Sequence, residues 1–181
     1  MSPNKFTAYA LLTLFLGSFS ATLLALDSDR EQPIHISSDT AERNDKEGIT
    51  TYTGAVLMDQ GTLHIEADKV VIHTNANNDI TLVVATGVPA EYRQKPAPDK
   101  EIVIAKGNTI EYMLDTEKLH IVENASLRQG DGTTLTGKVI NYDIKTSVVK
   151  AEGGTSTREP GRIHMTIPPK SERTEASSGA N

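Results

Sequence analysis

Over residues 34–167 the chain alternates apolar and polar residues in short runs, and none keeps the 3.6-residue period of an amphipathic helix. Val, Ile, Thr and Tyr are enriched in these runs, as in half-buried strands. Turn-forming clusters separate them: "NDKEG" at 44–48, "NANND" at 75–79, "LDTEK" at 114–118 and "DIKT" at 143–146. The stretch "QKPAPDK" at 94–100 reads as an inserted Pro-containing loop. The pattern predicts an all-β domain of antiparallel strands.

The strands repeat. Segments opening at Ile34 ("IHISSDTAER"), Leu63 ("LHIEADKVVIH"), Ile102 ("IVIAKGNTIEY") and Thr133 ("TTLTGKVINY") share one plan. An alternating strand meets a polar or glycine step (Asp39, Asp68, Gly107, Gly137), and a second strand follows. That second strand ends in His73, Tyr112 or Tyr142 in three of the four units. After a turn comes a return strand: "ITTYTGAVLMDQ", "ITLVVATGVPAEY", "LHIVENASLRQ" or "SVVKAEGG". The period is roughly 30 residues, and such a unit must stack on its neighbours to bury its apolar side.

Strand residues i, i+2 and i+4 share a face. Leu63, Ile65 and Ala67 therefore point one way, and His64, Glu66 and Asp68 the other. The second set is expected to be a solvated face, with Val103, Ala105 and Gly107 at the equivalent positions of the third unit. No metal site is expected, because the spacing matches no strong ligand motif. On the apolar side, Ile110, Tyr112 and Leu114 share a face, as do Ile140, Tyr142 and Ile144, and Val71 with His73. The return strands add Thr50, Tyr52, Val56 and Met58, and then Leu119, Ile121, Ala125 and Leu127. The strand openings add Ile34 with Ile36, Leu63 with Ile65, and Ile102 with Ile104. Gly87 and Pro89 break the alternation of residues 80–92, whose faces stay unassigned. These residues would line one elongated interior between two sheets. The plain reading of such rows is sandwich core. An interior of thin aliphatics without Trp also leaves room for an apolar ligand.

The N-terminus changes the setting. Residues 6–26 carry no charge, 8–16 are strongly apolar, and small residues follow up to Ala25. This reads as a signal peptide over 1–25, cleaved after Ala25 or nearer Ser20, with an uncleaved anchor as the alternative. Residues 26–167 form the domain, and 168–181 read as a disordered polar tail. The net charge of −6 argues against nucleic acid as a partner. Without cysteine there are no disulfides, thiol catalysis or cysteine-ligated zinc. The five histidines have no obvious nucleophile partner, and there is neither a G-x-S-x-G elbow nor a phosphate loop. No cofactor and no enzymatic activity are expected.

Four stretches, "QPIHI" (32–36), "TYTGAVLMDQGTLHIEADKVVI" (51–72), "GVPAEYRQ" (87–94) and "IEYMLDTEKLHIVENASLRQ" (110–129), resemble the OstA-like family of periplasmic lipopolysaccharide-transport bridge proteins. The resemblance covers about residues 32–167, nearly all of the expected mature chain. It implies a twisted, V-shaped β-jellyroll open at both ends, stacking head to tail. The implied bridge joins an inner-membrane transporter, with its tethered OstA-like subunit, to an outer-membrane lipopolysaccharide-assembly protein. Lipopolysaccharide would travel with its acyl chains in the apolar groove. Carried onto this chain, the lipid contacts fall at Ile34, Ile36, Tyr92, Tyr112 and Leu114. Tyr52, Leu63, Ile65, Ile110, Ile121 and Tyr142 complete the expected lipid-facing set. Interior Phe positions of the family are partly Tyr or aliphatic here, and His73 and Pro89 are expected in or near the groove lining.

The first strand is uncharged from Gln32 to Ser38 with Pro33 near its start, and the last, "RIHMTI", runs into Pro168–Pro169. Both could take a partner by strand addition. The expected oligomer edges are Pro33, Ile34 and His35 at one end and Ile163, His164 and Met165 at the other. Three other readings remain open: a membrane-tethered subunit of the same pathway, if residues 6–26 are retained; a β-repeat scaffold with a dry core; and, more distantly, an enzyme using His64 or Glu66.

Overall fold

The structure is a computed structural model that describes residues 29–154 and 161–169. The expected signal peptide (1–25) and residues 170–181 of the expected tail lie outside the described residues. A 3-10 turn, Asp29–Glu31, precedes ten strands: β1 His35–Ser37, β2 Thr40–Asn44, β3 Ile49–Gln60, β4 Leu63–Thr74, β5 Ile80–Gln94, β6 Val103–Met113, β7 Lys118–Gln129, β8 Thr134–Asp143, β9 Val148–Glu152 and β10 His164–Thr166.

Every pairing is antiparallel, in the order β1-β3-β4-β5-β6-β7-β8-β10, with β2 also on β3 and β9 also on β8. The sheet does not close: β1 and β2 share one edge, β9 and β10 the other. This is an open β-jellyroll, as the family resemblance implies. The turns sit where the sequence puts them, and side chains hold several. Asn44 Oδ1 accepts from the amides of Lys46 and Glu47, Asn75 Oδ1 from those of Asn77 and Asp79, and Asp143 Oδ1 from that of Thr146.

The steps correct the strand reading. Only Ser38–Asp39 separates two strands; the other steps lie inside long strands. The register shifts at Thr53/Val56 in β3, Glu66/Lys69 in β4, Thr86/Ala90 in β5, Lys106/Thr109 in β6 and Val122/Ala125 in β7. Because neighbouring strands are offset at the same level, the bulges form a crease across the sheet. One sheet thus folds into two arms, and the interior lies between arms of one sheet rather than between separate sheets. β3 and β7 make the bend with positive φ at Gly54 and Ala55 and at Glu123 and Asn124.

Small side chains line the inside of the crease. Paired positions there are Val56 with Ala67, Ala90 with Gly107, and Ala125 with Gly137. A Cβ on Gly107 would lie 2.6 Å from Ile121 Cγ2. The missing side chain lets β6 pass close to the fold of β7.

Candidate functional site

The arms enclose one apolar interior, organised as rows that cross the sheet. In the first arm a row pairs Ile36, Met58, Ile65, Tyr92, Ala105, Leu127, Leu135 and Met165 in turn, from β1 to β10. In the second arm the matching row is Ala41, Tyr52, Val70, Ala85, Ile110, Ile121, Ile140 and Ala151, from β2 to β9. Both are unbroken by a charged or strongly polar side chain. Interior members are buried apart from the partly buried Tyr52, whereas at the edges Ile36 is half-buried and Met165 is 57% exposed. Apolar surface therefore reaches the open edge at each end.

The expected lipid-facing residues divide into two groups. Leu63, Ile65, Tyr92, Ile110, Tyr112, Ile121 and Tyr142 are buried in the core. Ile34, Ile36, Tyr52 and Leu114 are partly buried against it. Ile34, Ile36 and Tyr52 line a cavity of about 390 Å³ at the β1–β2 end, with Thr50, Ile72 and Ile80. Tyr92 and Tyr112, on opposite arms, meet edge to face at 5.5 Å between ring centres. Burial pushes the Tyr92 hydroxyl well above the usual tyrosine range, so it stays protonated and donates to Gln94 Oε1. Of the expected oligomer edges, Pro33 and His35 are exposed on or beside β1, and Ile163, His164 and Met165 on or beside β10.

Several face assignments change. In β4 Val70 and Ile72 are buried, not Val71 and His73, because the bulge after Ala67 flips the parity of the strand. His73 thus points to the outer face, away from any groove. Pro89 is exposed at the crease and is not part of the lining either. In β6 the inward residues are Val103 and Ala105, with Gly107 buried beside them, and Ile104 faces out. These lie on the sides opposite to those expected, since "IVIA" is apolar at every position and marks neither face. The unassigned stretch of β5 resolves into Val83 and Ala85 inward, then Ala90 and Tyr92 inward after a switch across Gly87–Pro89.

His64 and Glu66 lie on the outer face of β4, as the alternation predicts. His64 Nδ1 lies 2.5 Å from Asp59 Oδ1 and Nε2 lies 3.0 Å from Glu66 Oε1. The hydrogen bonds to Glu66 and Asp59 raise the imidazole pKa. Among the described residues no cluster of His, Asp and Glu is arranged to hold a metal ion.

Sequence reasoning missed how the arms are tied at their outer tips. The Asp29 carboxylate accepts from the Thr62 amide and Thr62 Oγ1, each at 2.7 Å, and from Gln94 Nε2 at 2.7 Å. The Arg30 guanidinium donates to the Leu114 carbonyl and lies 3.2 Å from Glu117 Oε1 on the other arm. Periodicity carries no signal for such a contact, since both residues lie in a short polar stretch before the first strand. The "QGT" turn at 60–62 holds the only local hint: Gly61 has φ +59, and a Cβ there would collide with Asp29 Oδ1.

Residues 35–148 match the family described as LptA/(LptD N-terminal domain) LPS transport protein. The chain belongs to this family. Among LptA-family relatives, it is 41% identical over 162 residues to the lipopolysaccharide export system protein LptH of Pseudomonas aeruginosa, covering 88% of this chain and 91% of that one. It is 37% identical over 150 residues to the lipopolysaccharide export system protein LptA of Haemophilus influenzae, covering 82% and 85%. The crystal structure of P. aeruginosa LptH, described as the LptA-homologous periplasmic component of the lipopolysaccharide transport device, superposes with a TM-score of 0.70 at 36% identity. That match covers 78% of this chain and 99% of LptH. The OstA-like resemblance and the jellyroll architecture are thereby both supported by independent comparisons.

Proposed function

We propose that this protein is a periplasmic lipopolysaccharide carrier that holds acyl chains between its two arms and passes them along a bridge of head-to-tail copies toward the outer membrane. The supporting observation is the pair of apolar rows running unbroken from one open edge to the other. Each acyl methylene removed from water contributes about 0.8 kcal/mol, so a continuous apolar path holds a multi-acyl lipid where a gapped one would expose it. The exposed apolar side chains Ile163, Met165 and Ile167 beside or on β10 suit pairing with the β1 edge of a second copy. The same two edges would meet the tethered inner-membrane subunit and the outer-membrane assembly protein. The carrier performs no covalent chemistry and needs no cofactor; energy for export comes from the transporter.

Photocrosslinking tests this reading. A photoreactive residue at Ile36 is expected to capture lipopolysaccharide, and one at the outward-facing Glu66 is not. Equal labelling at both sites, or none at Ile36, would refute the groove. One observation favours a second reading, a dry-cored β-scaffold: the arms are in contact through Tyr92 and Tyr112. That scaffold would oligomerise without taking up lipid.

A further inference from the structure

We infer that the 3-10 turn Asp29–Glu31 is a strap that holds the two arms shut, and that lipopolysaccharide loads through the slit between the arm tips once the strap lets go. The inference rests on the carrier reading above. Its basis is where the turn's contacts go. Asp29 is fastened to the first arm by Thr62 and Gln94. Gln60 Nε2 adds bonds to the carbonyls of Arg30 at 3.4 Å and Gln32 at 3.1 Å. Arg30 then reaches the second arm at the Leu114 carbonyl and Glu117.

Both halves of the strap connect to the core. Gln94, which donates to Asp29, accepts the hydroxyl of buried Tyr92. Arg30 lies beside Tyr112 and opposes the upward pull that burial exerts on its hydroxyl pKa. Tyr92 and Tyr112 are the ring pair joining the arms, so strap and ring pair close the same slit. Under the strap only about 90 Å³ is free, lined in part by Leu63, Tyr112 and Ile144. Small-ligand sites are typically about 300–1,000 Å³. Acyl chains entering beneath the strap therefore need the arms to part there, in contrast to the roomier cavity at the β1–β2 end, and a bulky saccharide headgroup left in water needs an open side.

The fastening is built to release. The turn contributes no buried residue, and the Arg30 side chain is 44% exposed. Exposed ion pairs are weak and screened by salt, unlike the apolar packing behind them. Breaking the strap is thus the low-cost step, and acyl chains then cover the apolar surface that the parting arms uncover.

The chain contains no cysteine, so the double variant Arg30→Cys/Glu117→Cys carries two thiols alone. It is read unlinked, and again after bridging with a bis-methanethiosulfonate reagent that a reductant cleaves. Loading is followed as the fluorescence rise of lipopolysaccharide bearing an NBD-labelled acyl chain. The unlinked variant is expected to load about tenfold faster than wild type, the size of one lost charge-assisted hydrogen bond in the closed state. The bridged protein should load more slowly than wild type and recover on reduction. Arg30→Gln, which keeps a long polar side chain without the charge, should also load faster if the double variant folds poorly. Equal rates in wild type, Arg30→Gln and bridged protein would overturn the strap while leaving the carrier intact. A wild type that takes up no lipid would overturn the carrier, and the strap's role with it.

Discussion

Gly107 offers the sharpest test of the creased sheet. Its backbone φ is not in the left-handed region, so the glycine is required for space alone. A methyl group there would lie 2.6 Å from Ile121 Cγ2, where carbon atoms settle at about 3.5–4.0 Å. Roughly 1 Å of displacement is needed. Ile121 is fully buried, and the Val122 and Glu123 carbonyl oxygens stand 3.3 and 3.4 Å away, so there is little room to yield. Gly107→Ala is expected to destabilise by about 1–3 kcal/mol, the usual cost of overpacking. That corresponds to about 2–4 °C in Tm for each kcal/mol in a chain of this size. A double-mutant cycle with Ile121→Ala, followed by urea unfolding, isolates the cause. Ile121→Ala alone should cost about 2–5 kcal/mol through the cavity it leaves. In that background Gly107→Ala should be nearly neutral, because the clashing methyl is gone. A coupling energy equal to that lost cost, about 1–3 kcal/mol, is therefore expected. Additive effects within about 0.5 kcal/mol would refute the close passage of β6 over the fold of β7.

Ile36→Asp should cut lipopolysaccharide binding by at least about tenfold while leaving the urea midpoint nearly unchanged, since the residue is half-buried at an edge and a carboxylate opposes acyl chains there. Unchanged affinity would argue against the edge as part of the lipid path. Removing residues 162–167 takes away β10, which among the described residues pairs with three residues of β8. On the proposed head-to-tail stacking, sedimentation should find oligomers of the intact chain and a folded monomer of the truncated one, and equal oligomerisation of both would move the interface elsewhere. The raised pKa of His64 gives a pH signature. The imidazolium is stabilised by Glu66 and Asp59, so its contribution is full below the unfolded pKa of about 6.5 and fades as pH rises through the higher folded value. His64→Gln should therefore lower the urea midpoint more at pH 6 than at pH 8.5; an equal loss at both would mean that the charged pair contributes nothing. Raised salt should speed lipid loading in wild type but not in Arg30→Gln, since it screens the strap's ion pair.

Alternation along the chain was enough to determine strands, turns and the all-β class, because side-chain direction in a strand depends only on parity. The turns were legible for a local reason: Asn44, Asn75 and Asp143 satisfy backbone amides within four residues of themselves. Face assignments match the structure wherever polar residues mark one side, as at Leu63, Ile65, His64 and Glu66, or Leu119 and Ile121. They fail beyond the β4 bulge, at Val71 and His73, and along "IVIA" in β6. A bulge is set by how a strand registers on its neighbours, and an all-apolar run looks the same in either parity. The strap was beyond sequence reach for a plainer reason. Arg30 meets Leu114 across 84 positions and Asp29 meets Gln94 across 65, through polar groups that no periodicity constrains. The sequence by itself determined which residues are apolar and how they alternate. Only the folded sheet decided which of them face each other, because the crease that turns one sheet into two arms exists only when the bulges of neighbouring strands line up.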